Sequence, residues 1–202
     1  TLTKYNTSGS LQWQRKLGGS YNELGYAIAL DSSANCYITG GTPNATYTDC
    51  FVAKYNTSGA LQWQRRLYYS GNCTGFGIAV DSSGNVYGVG IKGTGTARNI
   101  IVFKYNSSGV IQWQRELYSS AADYGYAIAV DSSGNMFVTS TQLDSSMHLV
   151  KSSVMKISPA GSVLWAKDIT GGGGGTYITC IDVDSAGNVY IAGHVDRSYT
   201  DP

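Results

Sequence analysis

Residues 4–17 read KYNTSGSLQWQRKL, and the same wording returns at 54–67 as KYNTSGALQWQRRL, identical at 12 of 14 positions. It returns at 104–117 as KYNSSGVIQWQREL and, more worn, at 156–169 as KISPAGSVLWAKDI. The leading lysines Lys4, Lys54, Lys104 and Lys156 are 50, 50 and 52 residues apart. A second block keeps the same step: GYAIALDSSANCYITG from Gly25, GFGIAVDSSGNVYGVG from Gly75, GYAIAVDSSGNMFVTS from Gly125 and ITCIDVDSAGNVYIAG from Ile178. A period of this size means that one supersecondary unit is stacked repeatedly.

Each unit holds four short runs of β-forming residues separated by turn signals. In the second unit, strand a is expected at 75–81, b at 86–91, c at 100–106 and d at 110–117. The a-to-b link is Asp-Ser-Ser-Gly-Asn and the c-to-d link is Asn-Ser-Ser-Gly, whose side chains bond their own backbone and whose glycine takes positive φ. The b-to-c and d-to-a links are longer and differ in every copy. Four antiparallel strands in a unit of this length predict an all-β fold, a β-propeller of four-stranded blades. Strand a lies nearest the axis, where small residues recur (Ala27 and Ala29, Gly77 and Ala79, Ala127 and Ala129) and the bulk (Tyr26, Ile28, Leu30) takes the other face. Trp13, Trp63, Trp113 and Trp165 recur in strand d and are expected between adjacent blades.

The chain opens with strands c and d and closes with strands a and b, which makes 16 strands in all. Residues 1–202 are then either one propeller domain, its fourth blade closed by pairing the two termini, or four repeats of a longer array. The tail SYTD at 198–201 echoes TYTD at 46–49, which leads into a strand c, and Thr1 is not a methionine; both read as a fragment or a processed product. A ring not closed within one chain leaves edges that predict self-association.

Composition narrows the function. Of the 202 residues 42% are apolar, 12% aromatic and 13% charged, about half the usual charged share. With 14 basic and 13 acidic residues no global field draws the chain to nucleic acid, and no apolar run is long enough for membrane insertion.

The repeats resemble the bacterial β-propeller repeat abbreviated SBBP. The matching residues are 49–54 (DCFVAK), 56–59 (NTSG), Trp63 and 75–90 (GFGIAVDSSGNVYGVG), and the match runs through essentially the whole chain. The fourth unit departs from it, with Ser158-Pro159-Ala160-Gly161 in the turn and Ala166 for the second glutamine. The KYNTSG and LQWQR wording also resembles repeats in structural proteins of marine cyanobacterial phages. The resemblance implies a propeller in a surface, secreted or virion-associated protein, and no particular chemistry.

Nothing in the sequence reads as an enzyme, and no cofactor or metal motif is present. Asp31, Asp81, Asp131 and Asp184 read as caps of their own turns rather than a calcium ring, since serines stand where further carboxylates would be needed. The histidines His148 and His194 read as loop residues, and Gly171 to Gly175 as a loop without a phosphate-binding continuation. Cys36, Cys50, Cys73 and Cys180 show no redox spacing, and Cys36 and Cys50 flank one b-to-c hairpin. The face bearing the variable loops is the expected binding face. Its candidate residues are Tyr21, Glu23, Tyr47, Asp49, Tyr68, Tyr69, Arg98, Tyr118, Asp123, Tyr124, His148 and Tyr177. Tyrosine among small polar residues suits a protein or glycan partner. The expectation is a structural or interaction module of a virion or cell surface, with a carbohydrate-binding propeller as the alternative and a glycan-processing enzyme behind both.

Overall fold

The computed structural model describes residues 1–18, 22–69, 71–118, 122–144, 146, 149–169 and 175–196. Sixteen strands and no helix fill them. β1 (Leu2–Tyr5) and β2 (Leu11–Arg15) form a two-stranded sheet. Blade 1 follows as β3 (Leu24–Leu30), β4 (Cys36–Pro43), β5 (Thr48–Tyr55) and β6 (Leu61–Leu67). Blade 2 is β7 (Cys73–Val80), β8 (Val86–Thr94), β9 (Ala97–Tyr105) and β10 (Ile111–Leu117). Blade 3 is β11 (Ala122–Val130), β12 (Met136–Leu143), β13 (Leu149–Ile157) and β14 (Val163–Ile169), and β15 (Gly175–Val183) with β16 (Val189–Asp196) ends the series. All pairings are antiparallel between consecutive strands, so the propeller blade expected from the repeat is present.

The terminal hairpins β1–β2 and β15–β16, whose pairing the sequence leaves open, stand in separate sheets. One feature differs from the sequence reading, the short b-to-c link of blade 2: β8 and β9 run on until Thr94 pairs with Ala97, leaving Gly95 and Thr96 as the turn.

The invariant turns explain the regular hairpins. Asp81 Oδ1 accepts hydrogen bonds from the N–H groups of Ser83 and Asn85, both at 2.9 Å, while Oδ2 accepts from Asn85 Nδ2 at 2.8 Å and Tyr87 Oη at 2.9 Å. Both oxygens are committed to the turn, and among the described residues no group of three His, Cys, Asp or Glu could hold a metal.

Blades stack through apolar side chains. Tyr37, Val52, Trp63 and Leu67 of blade 1 meet Ile78, Val86, Ile101 and Phe103 of blade 2. Tyr87, Val89 and Val102 of blade 2 meet Met136, Val138 and Ile157 of blade 3. Fully burying one such side chain contributes about 1.5–3 kcal/mol. Three of the four tryptophans also tie one sheet to the next. Trp13 Nε1 donates to the Thr57 carbonyl at 2.9 Å, Trp63 to Ser107 at 3.2 Å and Trp113 to Pro159 at 2.9 Å. Arg15 and Arg65 reinforce this by donating to the Gly59 and Gly109 carbonyls, both at 2.7 Å. The first strands β3, β7, β11 and β15 lie side by side as the innermost layer. The a-to-b and c-to-d turns fall on one face and the variable links on the other, because each strand reverses its predecessor.

Candidate functional site

The candidates on the variable face divide into three groups. Tyr68 and Tyr118 are 75% and 72% exposed, and Tyr47 is exposed at the β4–β5 turn. Others belong to the scaffold, a correction to the loop assignment. Asp49, Asp123 and Tyr124 lie inside β5 and β11 and are buried, because the ladders extend past the ends the sequence suggests. Asp49 accepts from Asn44 Nδ2 at 3.2 Å and lies 4.0 Å from Arg66, and Asp123 accepts from Gln142 Nε2 at 3.2 Å. Arg98 and Tyr177 are likewise strand residues, of β9 and β15. Tyr21 and His148 lie outside the described residues, and Glu23 sits half-buried just before β3 with its carboxylate over Gly18.

At the junction of blades 1 and 2, Tyr69 packs half-buried against the core, and Lys92 Nζ lies 4.9 Å from its ring centroid. Lys92 pairs with Glu116 at 2.6 Å, and Tyr118 Oη donates to Glu116 at 2.7 Å. Burial pushes the Glu116 carboxyl up, but the bonds from Lys92 and Tyr118 outweigh it and hold it below its ordinary value. Asp168 is held low as well, by Ser153 Oγ at 2.7 Å and Lys151 at 3.2 Å. A general acid needs the opposite shift.

The feature that the candidate set lacks is on the innermost strands. Between Gly25 and Ala27 the β3–β4 register slips, leaving Tyr26 as the extra residue of a β-bulge; Phe76 and Thr179 take the same place in β7 and β15, and Tyr126 falls within a wider slip in β11. A bulge re-aims its side chain. The three aromatic rings then meet from blade to blade, Tyr26 to Phe76 at 5.0 Å and Phe76 to Tyr126 at 5.9 Å between centroids. Tyr126 stacks on Tyr124 at 5.8 Å and 10°, and the Arg98 guanidinium lies 4.8 Å above the Tyr124 ring. In the terminal hairpin Tyr177 and His194 stack at 5.0 Å and 9°, so His194 is a strand residue and not a loop residue.

The result is an aromatic strip along the inner layer, toward its variable-loop end, with Tyr26 still 49% exposed. Beside it, over Tyr124, Arg98 Nε is buried without a hydrogen-bond partner. The sequence signal was available: an aromatic follows the glycine of strand a in three units, Gly25-Tyr26, Gly75-Phe76 and Gly125-Tyr126.

No protein-family model matches the sequence, and no curated protein matches it. Among solved structures the chain is similar to a protein of unknown function from Bacteroides caccae, with a TM-score of 0.62 and 13% identity over 92% of this chain. It spans 58% of that protein's length. An endo-arabinase from Bacteroides thetaiotaomicron aligns with a TM-score of 0.48 and 10% identity, over 86% of this chain and 70% of the enzyme. At these identities the first likeness concerns the fold alone.

Proposed function

We propose that this chain is a non-catalytic interaction propeller of the bacterial β-propeller repeat type, a structural module of a virion or cell surface that holds its partner on the variable-loop side. The observation that carries this reading is the strip Tyr26, Phe76 and Tyr126, continued by Tyr124. It crosses three blades at equivalent positions, and at its blade-1 end the bulge leaves Tyr26 exposed on the variable-loop side. The opposite face supports the same division of labour, because its aspartates and asparagines are spent on their own turns. Glu116 and Asp168, held ionised by cations and hydroxyls, suit a binding surface better than acid catalysis.

A carbohydrate partner is the second reading. The exposed ring of Tyr26 at the end of the strip is the aromatic face available to the C–H face of a sugar ring. A glycan array probed with the chain and with Tyr26→Ala separates the two. Saturable glycan binding that falls at least about tenfold in Tyr26→Ala, with the melting temperature unchanged, assigns a lectin. No glycan binding leaves the protein-interaction reading, and turnover of any glycan overturns the non-catalytic one.

A further inference from the structure

The junction of blades 1 and 2 holds a pair of thiols that the aromatic strip does not use. Cys50 stands in β5 opposite Leu67 and Cys73 in β7 opposite Lys92, and both are buried in one cluster with Val52, Leu67 and Ile101. β5 of blade 1 lies directly against β7 of blade 2. A Cβ built on Gly75, two residues after Cys73 and on the same face of its strand, would lie 3.0 Å from Cys50 Sγ.

The repeat brings the same two positions together elsewhere. Ile100 and Asp123 hold the equivalent places between blades 2 and 3, where a Cβ on Gly125 would lie 2.9 Å from Ile100 Cγ2. Ser152 and Thr176 hold them between blade 3 and β15, where the Ser152 hydroxyl donates to the Thr176 carbonyl. The fold therefore sets these strands within side-chain reach whatever residues stand there, and between blades 1 and 2 each strand supplies a cysteine. Packing alone does not call for sulfur, since isoleucine, aspartate, serine and threonine fill the equivalent places. In the reduced chain a hydrogen bond with the Cys50 thiol pushes the Cys73 thiol up and burial adds to it, so the pair is held as neutral thiols.

We propose that Cys50 and Cys73 are a disulfide site, oxidised as the chain folds in an oxidising compartment, which ties blade 1 covalently to blade 2. The oxidant is a low-molecular-weight disulfide such as oxidised glutathione. One cysteine thiolate attacks it and releases a glutathione thiolate; the second cysteine thiolate then displaces the other glutathione from the mixed disulfide. The Sγ–Sγ bond forms, the glutathione S–S bond breaks, and two reduced glutathiones carry away the two electrons and two protons. Exchange runs before blade 2 closes on blade 1, because in the folded chain both thiols are buried and protonated. The bond joins positions 23 residues apart and restricts the unfolded chain, so the oxidised protein is the more stable form. The site is independent of what the variable-loop side binds.

The test refolds the reduced, denatured chain in a mixture of reduced and oxidised glutathione, alkylates the remaining thiols and maps the peptides by mass spectrometry without reduction. A Cys50–Cys73 link within one chain is expected, with Cys36 and Cys180 alkylated and a melting temperature at least about 5 °C above that of the protein kept in reductant. The Cys36→Ala/Cys180→Ala variant keeps the pair and is expected to lose two hydrogen masses on oxidation and regain them with dithiothreitol. Alkylation of all four cysteines at every glutathione ratio, a different pairing, a link only between two chains, or a bond that lowers the melting temperature overturns the proposal.

Discussion

Asp31 shows how a single side chain fixes a hairpin. Burial raises its carboxyl, but bonds from the Asn35 amide and N–H, the Tyr37 hydroxyl and the Ser33 N–H outweigh that and hold it below the ordinary 3.8. Asp81 and Asp131 are held low in the same manner, against burial, and Asp184 chiefly by the Asn188 amide. A carboxyl depressed in the folded state stabilises the fold fully above its unfolded pKa and loses that contribution as pH falls through the folded value. Urea midpoints are therefore expected to hold from pH 7 to about pH 5 and to fall below about pH 4, with Asp81→Ala costing about 2 kcal/mol at neutral pH. The fourth residue of the same turn is glycine in three units and Ala34 in the first, at φ 57°. The left-handed region costs a Cβ about 1–2 kcal/mol, so Ala34→Gly is expected to raise stability by about 1 kcal/mol in the same titration.

At the scale of the strand pair, the bulge depends on its partner. Opposite Gly25, Gly75 and Ile178 stand Gly40, Gly90 and Gly193, and a Cβ on Gly90 would lie 2.0 Å from the Thr74 carbonyl oxygen. Blade 3 has Ser140 at that place, and its register slips further: Gly125 pairs with Ser140 but the ladder resumes only at Ile128 and Val138. The Ala127 N–H turns to the Thr139 hydroxyl at 3.1 Å instead. Gly90→Ala must therefore widen the blade-2 bulge or strain it, and an overpacked site costs about 1–3 kcal/mol. Thermal melts of Gly90→Ala and of Ser140→Ala, where the wider bulge already admits a side chain, are expected to show the loss only in the first. The cysteines also sort by strand packing. Cys36 and Cys50 stand at opposite ends of the β4–β5 hairpin, and the neighbour of Cys50 is Cys73 of blade 2. Cys36, Cys50 and Cys73 are buried, and burial pushes the Cys36 thiol up to about 11, so these three are expected to stay silent toward a thiol reagent until the protein unfolds.

The whole molecule is a series of nearest-neighbour contacts, in which each blade touches the next through one apolar layer and one tryptophan. Sparse charge follows from burying both sides of each interior sheet. Cys180 is exposed on β15, so it is expected to react with a thiol reagent in the folded protein while the three buried thiols stay silent, a difference that reagent titration before and after unfolding measures.

The repeat spacing, the turn residues and the alternating runs were enough to define the blade, because hairpins are local and their asparagines and aspartates bond within about four residues. The tryptophan register and the variable face were legible for the same reason. The aromatic strip was not, because a bulge is settled by what stands on the opposite strand: Gly90 or Ser140 decides how Phe76 or Tyr126 is presented. Nor was the burial of Asp49 and Asp123, which follows from ladders that continue through segments of variable wording. Sequence by itself determined the unit and the number of its copies. Tertiary structure alone decided that the two half-blades stay apart, since that depends on packing against blades 1 and 3 at each end and not on any residue within the half-blades.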